Sequence, residues 1–372
     1  MKIWFSLVSV LFFIISSIGY ACTGITVKTN KNDVLQARTV EYGEGNLNSQ
    51  LVITPRGHEF QSLTPEGKIN GLKWKNKYGY VGISMINEIF IGEGVNEEGL
   101  NAGIFYFPHY GKLKNYNPKD ASSSLVDMEF VKWILGNFKT VDEVKEGLKN
   151  ITIVSVEEKE GKQLSTGHWR VGDKNGGNIV IEIVENGQVK IYDNKVGVLT
   201  NSPDYDWHIK NLNNYINLYA GNAKDYTVDG QQIFSFGAGT GMLGLPGDIT
   251  PPSRFIRAFL FLKTLKTPES TLEGVLSAFH VLNNFDIPIG VEYSAEHKKY
   301  IPKGILSATQ WTTVSNLTDR EFYYKTMNDN QIRKVDLKKM DFNNIKYQAI
   351  PLDDGNGIIG TFSFNPFISN IL

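Results

Sequence analysis

Cys22-Thr23-Gly24-Ile25-Thr26-Val27-Lys28-Thr29, then Lys31-Asn32-Asp33, then Val34-Leu35-Gln36-Ala37-Arg38-Thr39-Val40-Glu41-Tyr42: this stretch decides how the chain is read. The first run alternates apolar or β-branched residues with polar ones, which is the period of a strand. Lys31-Asn32-Asp33 has the chemistry of a turn. The second run returns as another strand. Such a hairpin brings Arg38 and Glu41 back towards Cys22. On the hairpin alone, a surface ion pair stays an open reading for these two charges.

Working outward, the residues before Cys22 read as an export signal. Lys2 supplies a short positive start, and residues 3–18 are apolar apart from Ser6, Ser9, Ser16 and Ser17. Gly19-Tyr20-Ala21 then places small residues at positions −3 and −1 of a cleavage site. The apolar run, about 16 residues, is shorter than the roughly 20 that span a bilayer. Residues 1–21 are therefore expected to be removed. The mature chain, 22–372, is expected to be a single domain without a membrane anchor, periplasmic or secreted.

With 41% hydrophobic and 12% aromatic residues the chain can bury a substantial core. Lys and Arg number 38 against 39 Asp and Glu, a net charge of −1. No basic stripe is present, so nucleic acid binding has no electrostatic footprint. The chain has one cysteine. It is Cys22, and it can make no internal disulfide. A lone thiol in an oxidising compartment is a liability unless it is used.

Three readings of Cys22 stay open at this point. A lipoprotein also carries cysteine at its first mature residue, but Gly19 and Tyr20 fit the usual preceding motif poorly. That reading would make the chain a lipid-anchored periplasmic binding protein. A buried, inert cysteine is the second reading. The third is an N-terminal nucleophile whose own α-amine serves as base. An α-amine has a pKa of about 8 and a thiol one of about 8.5. Position one puts both on one residue. Such a site needs a nearby cation to favour thiolate, an acid to orient the amine, and donors for the oxyanion of a tetrahedral intermediate.

Blocks along the chain then carry a resemblance. They are Cys22-Thr23-Gly24, Ala37-Arg38-Thr39-Val40-Glu41-Tyr42, Ile53-Thr54-Pro55-Arg56-Gly57, and Asn96-Glu97-Glu98-Gly99-Leu100 ahead of Pro108. They continue with Val198-Leu199-Thr200-Asn201-Ser202-Pro203, Trp207-His208, Gly237-Ala238-Gly239-Thr240-Gly241-Met242, Leu245-Pro246-Gly247-Asp248 and Pro252-Ser253-Arg254-Phe255. In this order they resemble the choloylglycine hydrolase family of bile salt hydrolases and penicillin V acylases, across most of the mature chain.

The resemblance implies an α+β fold, a four-layer αββα sandwich of the N-terminal nucleophile hydrolase type. It implies hydrolysis of a small linear amide with an apolar acyl group, such as penicillin V, a conjugated bile acid or an N-acyl homoserine lactone. It implies Cys22 as nucleophile, Arg38 beside the thiol, Asn201 as a side-chain oxyanion donor and Arg254 as a second arginine of the network. Tyr106 matches the position whose backbone N–H serves the oxyanion. Its side chain is Asn in many bile salt hydrolases and Tyr in some acylases. Glu41 stands where the best-known members have Asp, and keeps the charge with one more methylene. Tyr42 replaces a common Trp. The family also implies a homo-oligomer, a tetramer in many members, and no cofactor.

The remaining pattern is consistent with α+β order, since strand runs and helix runs segregate. Residues 79–90 read as a buried strand pair. Residues 122–138 read as a helix with Ser residues at its start, and 141–148 as another. Residues 168–172, 178–184 and 189–192 read as strands, 254–265 and 271–282 as helices, and 310–315 with 320–324 as a late hairpin. Residues 237–247 are glycine-rich without the ending of a phosphate loop, and read as a tight loop near the site. The six histidines show no metal spacing. His168 and His208 are read as structural.

Overall fold

The hairpin forms as the alternation requires. β1 (Cys22–Lys28) and β2 (Val34–Tyr42) pair antiparallel, with Cys22 opposite Val40 and Gly24 opposite Arg38. In this computed structural model the described residues are 21–42, 46–85, 87–156, 158–159, 162–163, 167–185, 187–291 and 308–353. The expected export signal, apart from Ala21, lies outside them.

The other principal strands, in chain order, are β3 (Gln50–Thr54), β4 (Tyr80–Met85), β5 (Asn87–Asn96) and β6 (Leu100–Tyr106). Then come β7 (Gly167–Asp173), β8 (Asn178–Val184), β9 (Gln188–Asp193) and β10 (Val198–Leu199). The last are β11 (Ala308–Asn316), β12 (Glu321–Thr326), β13 (Arg333–Asp336) and β14 (Gln348–Pro351). One six-stranded sheet runs β10-β1-β2-β11-β12-β13 and one eight-stranded sheet runs β9-β8-β7-β6-β5-β4-β3-β14.

Among the described residues five α-helices complete the frame: α1 (Phe130–Asn137), α2 (Val141–Gly147), α3 (Tyr205–Asn211), α4 (Pro251–Thr264) and α5 (Thr271–Leu282). α4 and α5 pack on β1, β2, β10 and β11 of the first sheet, and α1 packs on β5 and β6 of the second. Facing inner sheets with helices outside give the αββα order. No helix among the described residues is long and apolar enough to cross a membrane.

Strand periodicity explains why β2 is buried along nearly its whole length. Successive side chains alternate between the facing sheet and the helix layer. Arg38 reaches the facing sheet, where it donates to Gly92 O and Ile104 O. Glu41, three residues on, has the opposite parity. It meets Thr309, whose hydroxyl also contacts Phe285 O and Ile287 N on the helical side. The hairpin thus surrounds Cys22 from two layers. Gly24 makes the close sheet approach possible, since a Cβ there would lie 2.6 Å from the Phe105 ring.

The helix read over 122–138 is shorter in the structure. Ser124–Val126 is a strand, parallel to Thr152–Val154, and the Ser62 hydroxyl accepts from Val126 N–H. Those pairings take the backbone groups a helix would have used. α1 starts at Phe130, and Glu129 rather than a serine stands at its N-cap, with no side-chain cap bond. The strand β6, which the sequence pattern leaves unassigned, forms a central part of the second sheet.

Candidate active site

Cys22 opens β1 and is 1% exposed. Arg38 donates Nη2–H to Cys22 Sγ at 2.8 Å. The guanidinium is fixed from other directions. Nη1 donates to Ile104 O at 2.6 Å and Gly92 O at 3.2 Å, and Nε donates to Thr39 O at 3.3 Å. Its flat face lies 3.9 Å from the Phe105 ring centre.

On the other side of Cys22 stand Asn201 and Arg254. The Cys22 nitrogen, here the amide nitrogen of the Ala21–Cys22 bond, donates to Asn201 Oδ1 at 2.8 Å. Arg254 Nη2 donates to the same oxygen at 2.8 Å, while Nη1 donates to Thr23 Oγ1 at 2.8 Å and to Cys22 O. Asn201 Nδ2 donates to Tyr106 O at 2.8 Å. Glu41 is fully buried. Its N–H donates to Ala21 O at 2.9 Å, and its Oε1 accepts from Thr309 Oγ1 at 3.0 Å. All six residues named from the sequence therefore meet around one cysteine, drawn from five separated stretches of chain.

The electrostatics of the thiol follow from this enclosure. Burial pushes the Cys22 thiol up from its ordinary value, Arg38 pulls it down, Glu41 pushes it up and Arg254 pulls it down. A buried thiol is a poor nucleophile until a cation and a base act on it. The lipid-anchor reading does not account for a sulfur held by Arg38 inside the fold. The inert-cysteine reading does not account for a guanidinium aimed at the sulfur.

Sequence reasoning missed the charges behind Arg38. Glu93 Oε2 lies 3.6 Å from Arg38 Nη1, and Glu93 Oε1 lies 3.5 Å from Arg170 Nη2. All three side chains have no exposed surface. The signal was present as single charges inside apolar strands: Glu93 in Ile91-Gly92-Glu93-Gly94-Val95 and Arg170 in His168-Trp169-Arg170-Val171. The glycine-rich 237–247 stretch, read as a tight loop, carries a single 3-10 turn at Thr240–Met242, and its Pro246 O accepts from Arg257. The stretch is a largely exposed surface loop. It meets the site only through the residues that follow it, where Ile249 O accepts from Arg254 Nε at 2.8 Å. A surface cavity of about 720 Å³, lined in part by Thr26, Lys28, Phe259 and Leu262, lies at the far end of β1 and holds none of the six. Among the described residues no group of three or more His, Cys, Asp or Glu is placed to hold a metal ion.

Two facing antiparallel sheets between helix layers, with a cysteine opening a central strand, define a sandwich of the N-terminal nucleophile hydrolase type. The family model described as linear amide C-N hydrolases, choloylglycine hydrolase family, matches residues 22–350, and the chain belongs to that family. It is 34% identical to a bile salt hydrolase/transferase of Clostridium perfringens, over 87% of this chain and 95% of that protein. It is 27% identical to a penicillin V acylase of Pectobacterium atrosepticum, over 91% of this chain and 87% of that protein. Among solved structures, a variant of conjugated bile acid hydrolase from Clostridium perfringens superposes with a TM-score of 0.76 at 29% identity. That match covers 93% of this chain and all of the other. The protein is a hydrolase of linear amide C–N bonds, of the bile salt hydrolase and penicillin V acylase type.

Proposed function

We propose that the chain is exported, that residues 1–21 are removed, and that Cys22 then acts as an N-terminal nucleophile on a linear amide with an apolar acyl group. The observation that carries this reading is the pairing of Cys22 with two different groups at once. Its sulfur faces the Arg38 cation at 2.8 Å, and its nitrogen faces the Asn201 carboxamide at 2.8 Å. Removal of Ala21 turns that nitrogen into an α-amine without moving it.

The steps follow from these contacts. The α-amine takes the thiol proton, and Arg38 stabilises the thiolate, which attacks the amide carbonyl. Asn201 and the Tyr106 backbone N–H face the oxyanion. Arg254 holds Asn201 Oδ1, which leaves the carboxamide nitrogen directed the other way. The α-ammonium protonates the leaving amine. Water, activated by the same amine, then cleaves the thioester to give a carboxylic acid and free enzyme. Glu41 orients the amine from the helix side.

For the substrate, the higher identity to a bile salt hydrolase/transferase supports a conjugated bile acid. Tyr106, the residue found in some acylases at this position, supports a penicillin V-type amide as the second choice. An N-acyl homoserine lactone offers the same linear amide and apolar acyl chain.

The deciding experiment measures amine release from glycocholate, penicillin V and an acyl homoserine lactone by mature protein beginning at Cys22. Parallel samples carry Cys22→Ala or extra residues before Cys22. Release by the mature form alone is expected. Full turnover with a blocked terminus would sink the α-amine mechanism.

A further inference from the structure

Asn201 lies two residues past the end of β10, and the backbone at this point is gripped twice. His168 Nε2 lies 3.0 Å from Thr200 O, and His208 Nε2 lies 2.9 Å from Asn201 O. A carbonyl oxygen only accepts, so each Nε2 carries the proton it donates. The two imidazoles come from different elements, β7 and α3, and hold consecutive carbonyls.

Each ring is itself held. Phe107 stacks on His168 with centroids 4.4 Å apart, and Phe255 stacks on His208 at 4.6 Å. Glu182 Oε1 lies 3.1 Å from His168 Nδ1 and also accepts Tyr205 N–H at 2.8 Å. Tyr205 opens α3, the helix that carries His208. One carboxylate thus ties both grips together. The stacking partners also matter. Phe107 follows Tyr106, whose carbonyl accepts from Asn201 Nδ2, and Phe255 follows Arg254, whose guanidinium holds Asn201 Oδ1.

Resting on the reading of Asn201 as an oxyanion donor, we infer that His168 and His208 are positioning residues. By clamping the Thr200 and Asn201 carbonyls they fix the Asn201 carboxamide against Cys22. They touch neither substrate nor sulfur. Their effect falls on the acyl-transfer step, where a donor displaced by a fraction of an ångström loses most of its value. Thiol ionisation, which Arg38 governs from the opposite side, is affected far less, through the Cys22 nitrogen and Arg254 that also meet Asn201.

The test compares His168→Leu and His208→Leu with His168→Gln and His208→Gln in the full mature enzyme. Turnover of glycocholate and penicillin V is measured, and Cys22 is alkylated with iodoacetamide and followed by intact mass. Alkylation needs no oxyanion donor, and the folded fraction of each variant is read separately from urea unfolding. The Leu variants are expected to lose about tenfold or more in kcat per folded enzyme. Their alkylation rate constants should fall far less than kcat, and the Gln variants, which keep an N–H donor, should recover part of kcat. Unchanged kcat per folded enzyme in both Leu variants would overturn the inference. So would alkylation that falls in step with kcat, or Gln variants no better than Leu. Wild-type enzyme that keeps its turnover after complete alkylation would instead overturn the nucleophile reading on which the inference stands.

Discussion

Arg38 and Arg170 cross the space between the two sheets in opposite directions. Arg38, on the first sheet, donates to Gly92 O and Ile104 O of the second. Arg170, on the second, donates to Ile25 O at 2.9 Å and Ala37 O at 3.1 Å of the first. Glu93 lies between the two guanidinium groups. One carboxylate balances one of the two cations. The Arg38 charge left over faces the Cys22 sulfur. The contacts that join the sheets are therefore the same contacts that put a cation beside the thiol.

Glu93→Gln should consequently weaken the fold. Without the carboxylate, two buried cations face each other, and burial already pulls Arg170 down to about 10 against the opposing effect of Glu93. Breaking a buried ion cluster by removing one partner costs about 3–5 kcal/mol. Gly103→Ala should act in the same direction, because a Cβ there would lie 1.9 Å from Glu93 Oε2. Gly247→Ala is the control, since nothing stands within 4 Å of its Cβ position. Urea unfolding decides the matter. Midpoints for Glu93→Gln and Gly103→Ala equal to that of Gly247→Ala would show that the network does not hold the sheets.

The thiol gives a prediction in which the sign separates three residues. Arg38→Leu removes the larger of the two cationic effects on Cys22, so the thiol moves further up and less thiolate is present at neutral pH. Iodoacetamide alkylation should slow accordingly. Arg254→Leu should slow it less. Glu41→Gln should speed alkylation while lowering turnover, because the carboxylate pushes the thiol up and yet orients the amine. The pH dependence of alkylation for the three variants checks the order. A slower Glu41→Gln would show that the carboxylate acts on the sulfur through structure rather than charge.

Much of this site is legible in the chain of residues itself. The first strand of the β1–β2 hairpin alternates and the second returns after a turn, and the position of Cys22 after an export-type segment stands out because it is the single thiol. Local pattern fails where pairing is non-local. Ser124–Val126 has the pattern of the start of α1, but its partner strand, Thr152–Val154, lies beyond two helices. The neighbour of β2 in the sheet is β11, which begins at Ala308, far along the chain. No spacing rule links them. His168 and His208 read as structural from their isolation in sequence. What they hold is visible only once β7, α3 and the Thr200–Asn201 segment are brought together.

Glu41 invites a substitution towards the commoner family residue, and the structure predicts the opposite of a gain. Glu41 Oε1 is anchored by Thr309 Oγ1, which in turn accepts Ile287 N–H at 2.9 Å. Glu41→Asp withdraws the carboxylate by one methylene, so its buried oxygen loses the Thr309 donor while the hydroxyl falls back on Phe285 O. An unmade buried hydrogen bond costs about 1–3 kcal/mol. Both Tm and kcat are expected to fall, and Thr309→Val should lower kcat in the same way. A Glu41→Asp enzyme with wild-type or higher kcat would show that Thr309 does not set the carboxylate position.

His208 supplies a stability signature that depends on pH. Burial brings its imidazole down from 6.5 to about 4, partly offset by the bond to Asn201 O. In the unfolded chain the same ring protonates at its ordinary value. Between these two values the unfolded state binds the extra proton, so folding stability is full above about 6.5 and is lost as pH falls towards 4. By pH 5 the loss should reach about 2 kcal/mol relative to pH 7. His208→Gln cannot titrate. The stability advantage of wild type over this variant should therefore shrink by that amount across the interval, read from urea unfolding at each pH. A constant difference would mean that His208 takes up its proton as readily in the fold as in water, and that the ring is not held in a neutral, buried clamp.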